Sequence, residues 1–373
     1  MDIAIKPSTP VAGFLLAFLL IVTVGLAVVG EFNYAMDPAH IFSNTNYERG
    51  IAKILVKGSN VAGAENYDDR ILQRYIIQLR GRPPEAIVLG SSRVMQIRAD
   101  VFPGITMFNH GVAGASVEDY LAIWQAYRNR GFMPRQVLIG VDPWILNHAD
   151  DQTRWQSLGD EYRESLTRLG LEDREKTKEK FNRLSKKYKE LIAWPYFVAS
   201  AKAWKKNGGE DSRAQYHATD RDLGEQIIKR ADGSLGYPPS FHDRTVTEAR
   251  AAAQDYAQDP IYSLGDFTKF DQADIKMFEA LIADIMRDGG RVTLFLPPYH
   301  PLVYQKLASD PQYRMVGEAQ RYFVDFALRN GLRVVGSYNP SDCGLGESDF
   351  FDGMHPKGGA TMSKLLACPA KAE

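Results

Sequence analysis

The stretch Ala86-Ile87-Val88-Leu89-Gly90-Ser91-Ser92-Arg93 decides how the rest of the chain is read. Four consecutive apolar residues follow the turn signal Pro83-Pro84 and stop at a glycine, the pattern of a short strand buried on both faces. Strands of that kind belong to parallel sheets, and in open parallel sheets ligands bind beyond the carboxyl ends of the strands. Ser92 therefore stands where a nucleophile would be presented, while Gly-Ser-Ser taken alone is ordinary turn composition.

The same alternation extends outward from this strand. An amphipathic helix over Tyr67–Leu79 precedes it, with Ile71, Leu72, Tyr75, Ile76 and Leu79 on one side, and residues 31–60 read as polar and turn-forming. After it come a strand over Thr106–Asn109, a helix beginning after Ser116, and a strand over Val137–Val141. Ser116 and Asp119 form a capping-box variant at the start of that helix. The pattern resumes with a helix over Gln272–Arg287, a strand over Val292–Leu296, a helix over Gly317–Arg329 and a strand over Arg333–Val335. Alternating apolar strands and amphipathic helices predict an α/β fold, a three-layer α/β/α sandwich around a parallel sheet.

Between the two halves, residues 150–260 differ in composition and are expected to form a largely helical insertion that could cover a cleft as a lid. Its stretch Glu172–Glu190 is dense in both charge signs and reads as a solvated helix with i,i+4 pairs. Trp194, Tyr196, Phe197 and Trp204 follow as an aromatic cluster, for which packing is favoured over stacking on sugar rings.

Val11 to Gly30 is twenty residues without a charge, long enough as a helix to cross a hydrocarbon core of about 30 Å. Its length and the poor cleavage site at Val28-Val29-Gly30-Glu31-Phe32 favour an uncleaved signal anchor over a cleaved signal peptide. Lys6 and the α-amino group on one flank, against Glu31 and Asp37 on the other, place residues 1–10 in the cytoplasm and the body of the chain outside. The domain plan is a tail (1–10), an anchor (11–30), a connecting segment with a helix (31–84), the α/β domain (85–149 and 261–373) and the insertion (150–260).

At 373 residues, 45% hydrophobic and 24% charged, the chain is ordinary globular material, and a net charge of −1 gives no reason to expect nucleic acid as a partner. Its two cysteines, Cys343 and Cys368, do not have metal-ligand spacing, and no metal or organic cofactor is expected. In an oxidising compartment the two thiols could pair; they could equally stand free and buried.

Two further constellations bear on chemistry. Near the C-terminus, Phe351-Asp352-Gly353-Met354-His355-Pro356 carries an Asp and a His three apart, which one turn of helix would place on the same side, the carboxylate orienting the imidazole. At the end of the second strand, Asn109-His110-Gly111-Val112-Ala113-Gly114-Ala115-Ser116 is a glycine-bearing turn entering a helix, where backbone N–H groups point outward as an oxyanion requires. Asp-x-x-His becomes informative only with a Ser to act on.

A Ser after the first strand, a Gly-bearing turn after the second and Asp-x-x-His near the C-terminus, in this chain order, resemble the SGNH-hydrolase superfamily of serine esterases and acyltransferases. The resemblance covers the sandwich, about 85–145 and 265–366, and implies a flavodoxin-like sheet. It makes Ser92 the nucleophile, His355 the general base, Asp352 its orienting carboxylate and the amides of Ser92 and Gly114 the oxyanion hole. The family's third block usually supplies an Asn to that hole, whereas this chain has Gly140-Val141-Asp142-Pro143-Trp144. An ionised Asp142 would repel an oxyanion, so either the two amides suffice or Asn109 or another donor substitutes.

The anchor, the Gly-Ser-Ser-Arg first block, the Asp-Pro-Trp third block and Leu296-Pro297-Pro298-Tyr299-His300-Pro301 look most like envelope-modifying members. These include proteins similar to the D-alanyl transfer protein of teichoic acid and to the alginate O-acetylation proteins. That likeness implies an O-acyltransferase or O-acetylesterase acting on an envelope polysaccharide from the bacterial cytoplasmic membrane, its catalytic domain in the periplasm or extracytoplasmic space. It also implies a membrane-bound O-acyltransferase as partner. Arg93, Asp142, Trp144, Tyr299 and His300 are candidate substrate contacts; Arg93 could instead pair with a carboxylate, and His300 could be a structural hydrogen-bonder.

Overall fold

In a computed structural model the described residues are 9–37, 46–172, 189, 191–206 and 216–370, and they fall into two compact units. The charged stretch Glu172–Glu190 lies almost wholly outside them.

The first unit combines the N-terminal segment with residues 174–215 of the sequence-defined insertion. The apolar run forms the helix Thr9–Met36, of which Gly13–Met36 is long and apolar enough to cross a membrane. Its large side chains face outward, Phe14, Leu16 and Ile21 being about 70% exposed. The helix continues six residues beyond the expected span. At that end Asn33 donates to the Leu191 carbonyl at 2.9 Å and Phe32 packs on Phe197 at 5.5 Å, both within this unit. Phe197 lies in the helix Trp194–Lys206, whose Tyr196 donates to Asp37 at 2.7 Å. The aromatic cluster thus packs on the N-terminal helix through Tyr196 and Phe197, while Trp194 and Trp204 stay exposed.

The second unit, Glu48–Asp173 with Tyr216–Glu373, carries the α/β fold. Its strands are β1 (Asn60–Ala62), β2 (Ala86–Leu89), β3 (Met107–Asn109), β4 (Gln136–Gly140), β5 (His217–Thr219), β6 (Ile228–Lys229), β7 (Leu235–Gly236), β8 (Arg291–Leu296) and β9 (Arg333–Gly336). Five of them form a sheet in the order β3-β2-β4-β8-β9, with every neighbouring pair parallel. In that register Leu89 lies opposite Ile139, and Gly140 opposite Phe295, so the carboxyl ends of the strands share one edge.

Alternate side chains divide between two cores. Ile87, Leu89, Val137, Ile139, Leu294 and Leu296 join the helices Val117–Asn129, Gln272–Arg287 and Arg314–Arg329 in the larger one. Ala86, Val88, Leu138 and Phe295 join Val94, Ile97 and Leu365 in the smaller one. Strands buried on both faces are continuous apolar runs for this reason.

Several expectations are revised. The segment 31–60 contains the helix Asn46–Val56, which buries Ile51, Ala52 and Leu55. The insertion is not one helical body: residues 216–236 supply β5, β6 and β7, of which β5 and β6 pair with β1 and β7 pairs with β6 in a four-stranded antiparallel sheet ordered β5-β1-β6-β7. Residues 150–173 and 216–260 of it belong to the α/β unit, and 174–215 group with the N-terminal segment. Cys343 and Cys368 are joined in a disulfide. The bond ties the final helix Ala360–Ala367 to the edge of the sheet, where Gly336 donates to the Cys368 carbonyl at 2.8 Å.

Candidate active site

β2 ends at Gly90, where a Cβ would lie 2.7 Å from both Val94 methyls, so only glycine lets the chain turn there. The turn continues as a short 3₁₀ helix, Ser92–Val94, capped by Ser91, whose Oγ accepts from the Arg93 N–H at 3.2 Å. Ser92 itself is half-buried.

Ser92 Oγ lies 2.8 Å from His355 Nε2, and His355 Nδ1 lies 2.8 Å from Asp352 Oδ2. With the Nδ1 proton donated to the carboxylate, Nε2 is left to accept from the serine hydroxyl. Asp352 Oδ1 also accepts from the backbone N–H of Met354 at 2.9 Å and of His355 at 2.8 Å. Burial pushes the Asp352 carboxyl up, but His355 and these amides outweigh it and hold it below its ordinary value.

The segment that carries the pair is a run of bends rather than the helical turn expected from the spacing of three; the amides on Asp352, not helix geometry, set the side chains together. It is fastened from several sides. His300 N–H donates to the Gly353 carbonyl at 3.1 Å, Arg244 Nη1 to the Phe351 carbonyl at 2.8 Å and Gln96 Nε2 to the Pro356 carbonyl at 2.6 Å. The Phe351 ring stacks on the imidazole at 5.6 Å and 4°.

Arg93 joins the strand ends beneath the serine. Its side chain is fully buried, and it donates from Nη1 to Asp142 at 2.7 Å and from Nε to the Met354 carbonyl at 3.1 Å. Nη2 donates to the Pro297 and Pro298 carbonyls at 2.5 and 2.6 Å, and the guanidinium lies 4.0 Å from the Tyr299 ring centroid. One side chain thus links the Ser92 turn after β2, the end of β4, the end of β8 and the loop that holds His355.

The candidate substrate contacts are accordingly corrected. Arg93 and Asp142 form a buried pair turned inward, and a carboxylate committed to that pair faces no ligand. Trp144 is buried and donates to the Ala115 carbonyl at 3.1 Å, supporting the glycine-bearing turn from below. Tyr299 is fully buried under Arg93. His300 is also buried; its Nδ1 accepts from the Leu302 N–H at 3.2 Å as the cap of the helix Pro301–Ser309, and burial lowers its pKa. Asn109 does not serve the oxyanion hole: its Nδ2 donates to the Val94 and Ile97 carbonyls at 2.8 and 2.9 Å, which uses both amide hydrogens.

The turn after β3 is brought beside the Ser92 turn by a bond from Val112 N–H to the Gly90 carbonyl at 3.0 Å. Asp69 accepts from the Ala113 N–H at 3.0 Å, and the capping box places Ser116 N–H on Asp119 at 3.0 Å. Gly114 has a left-handed φ of +53°, and a Cβ there would lie 2.2 Å from Arg154 Nη2 and 2.4 Å from the Tyr262 hydroxyl. Among the described residues neither the Ser92 nor the Gly114 N–H has a protein partner.

Arg154 and Tyr262 are the site residues that sequence reading did not find. They come from separate parts of the chain with no motif around either, and only the fold lays them on the glycine-bearing turn. Tyr256 belongs to the same wall: its hydroxyl accepts from the Tyr262 N–H at 3.2 Å, its ring covers Gly353, and burial pushes its pKa up to about 12. Compared with models of known protein families and with curated proteins, the sequence gives no match.

Proposed function

We propose that this protein is a serine O-acyltransferase that moves a small acyl group, acetyl in our reading, onto hydroxyls of an envelope polysaccharide through an ester on Ser92. The observation that carries the reading is the unbroken relay of Ser92, His355 and Asp352, two contacts of 2.8 Å between residues 263 positions apart and their neighbour. Such a relay activates a hydroxyl that is otherwise a weak nucleophile. Ser92 Oγ attacks the acyl carbonyl as its proton passes to His355 Nε2, and Asp352 stabilises the imidazolium. His355 then returns the proton to the leaving oxygen. An acceptor hydroxyl, deprotonated by the same imidazole, resolves the acyl-enzyme; when that acceptor is water, the enzyme is a carbohydrate O-acetylesterase. A non-catalytic glycan-binding component of an acylation complex would have no use for a complete relay.

The family reading is part of the proposal. Numbered along the chain, the parallel strands run 2-1-3-4-5 across the sheet, which supports a flavodoxin-like, three-layer α/β/α domain of the SGNH type. The apolar helix Gly13–Met36 supports single-pass anchoring in a bacterial cytoplasmic membrane. The Cys343–Cys368 disulfide supports an extracytoplasmic position for the domain, because such bonds persist in oxidising compartments. A membrane-bound O-acyltransferase that exports the acyl group is the partner this reading requires.

The test is to incubate the full chain in detergent micelles with p-nitrophenyl acetate and look for acetyl-Ser92 by peptide mass spectrometry. An adduct in the wild type that Ser92→Ala and His355→Ala both abolish is the expected result. A folded wild type that neither forms the adduct nor releases acetate would overturn the enzyme reading and leave the glycan-binding one.

A further inference from the structure

We infer that Arg154 supplies the charged side-chain donor of the oxyanion site, and that Tyr262 positions it there; the inference rests on the acyl-enzyme reading of Ser92. Asn109, the donor weighed from sequence for that role, and Asp142, which stands where the family usually has its Asn, are both spent elsewhere. Asp142 is an acceptor locked to Arg93, and Asn109 turns both of its amide hydrogens inward. A developing negative charge on the acyl oxygen would otherwise meet only backbone amides.

Arg154 begins a 3₁₀ turn, Arg154–Leu158, and its guanidinium sits directly over Gly114. A Cβ lies about 2.5 Å from its own backbone nitrogen, so Nη2, 2.2 Å from the Cβ position of Gly114, is within about 5 Å of that residue's amide. The guanidinium is held in place: Nη2 donates to the Tyr262 hydroxyl at 2.5 Å, and the Tyr262 ring stands edge-on to buried Trp144 at 5.2 Å and 84°. Its other N–H groups have no hydrogen-bond partner among the described residues, the side chain is exposed, and Asp150 is the nearby carboxylate that feels its charge. An arginine fixed through one nitrogen, with the rest of its fork open beside an unpartnered amide, is arranged to receive an anion.

In the reaction, Ser92 Oγ forms its bond to the acyl carbon while its proton moves to His355 Nε2 and the carbonyl π pair moves onto oxygen. The Ser92 and Gly114 amides and Arg154 face that oxygen. When the bond to the leaving oxygen breaks, the electron pair returns to the carbonyl and His355 protonates the leaving group. Arg154 stays charged throughout, because a guanidinium does not lose its proton in proteins. It therefore stabilises charge without entering the proton transfers.

The test is the rate of Ser92 acetylation by p-nitrophenyl acetate in the full chain in micelles, for wild type, Arg154→Ala, Arg154→Lys and Tyr262→Phe. Loss of one oxyanion donor slows such reactions about 10²–10³-fold, so Arg154→Ala should fall by about that factor in kcat with little change in KM. Arg154→Lys should keep an intermediate rate, Tyr262→Phe should lose less than Arg154→Ala, and added guanidinium should restore part of the Arg154→Ala rate without affecting the wild type. An Arg154→Ala rate within twofold of wild type, or a loss that neither the lysine nor guanidinium lessens, would overturn the assignment. A wild type that never acetylates Ser92 would remove the acyl-enzyme reading and this inference together, whereas acetylation that ignores residue 154 removes only the inference.

Discussion

Replacing Arg93 with methionine tests whether this buried arginine organises the site. The substitution nearly conserves length but leaves Asp142 as an uncompensated buried carboxylate and leaves the Met354, Pro297 and Pro298 carbonyls without their donor. Breaking one partner of a buried pair destabilises by about 3–5 kcal/mol, and an unsatisfied buried carbonyl by a further 1–3 kcal/mol or so. These losses overlap, so a total of about 4–6 kcal/mol is expected, a large share of the roughly 5–15 kcal/mol that holds a domain folded. Denaturant unfolding followed by tryptophan fluorescence would measure it. The double variant Arg93→Met with Asp142→Leu removes the orphan charge and should recover at least half of the loss. It should not recover full Ser92 acetylation, because the Met354 carbonyl beside His355 then lacks its bond to Arg93, and the Gln96 bond to Pro356 holds only the far side of His355. A single-variant loss below about 1 kcal/mol, or wild-type acetylation in the double variant, would show that Arg93 does not fasten the site.

Other predictions concern the relay and its supports. Asp352→Asn should lower the acetylation rate by about 10⁴-fold while leaving the fold intact, since the amide stabilises the wrong imidazole tautomer; a loss under tenfold would contradict the relay. Because the Asp352 carboxyl is held below its ordinary value, it contributes stability that is fully present above the unfolded-state pKa of about 3.9 and is lost as pH falls through the lower folded value. The stability gap between wild type and Asp352→Asn, measured by unfolding at a series of pH values, should therefore close on acidification and not on alkalinisation. Reducing the Cys343–Cys368 bond opens a 25-residue separation, for which chain entropy predicts a loss of about 3.5 kcal/mol; an unchanged unfolding midpoint in reductant would refute it. Gly114→Ala forces a left-handed residue to carry a Cβ and pushes Arg154 aside, so acetylation should fall as it does in Arg154→Ala, and the two substitutions combined should fall little further.

The parallel sheet was legible in the residues themselves, and the three residues of the relay through a resemblance. Ala86–Leu89 and Arg291–Leu296 were legible because strands buried on both faces show as unbroken apolar runs, and the helix Gln272–Arg287 because its apolar face repeats at helical spacing over sixteen residues. Neither Gly-Ser-Ser nor Asp-x-x-His is distinctive alone, and Ser92, Asp352 and His355 stood out only because their chain order resembles the SGNH pattern. Strands of two or three residues such as β1, β6 and β7 carry too little pattern to be read, and their pairing is a long-range property. The helix Asn46–Val56 left a faint signal in Tyr47, Ile51 and Leu55, outweighed by the polar residues around them. Where the polar side chains point was not legible in this way. Arg93 and Asn109 turn inward, and Arg154 turns toward Gly114, because each donor takes the acceptors that folding places within reach, and those acceptors come from distant parts of the chain.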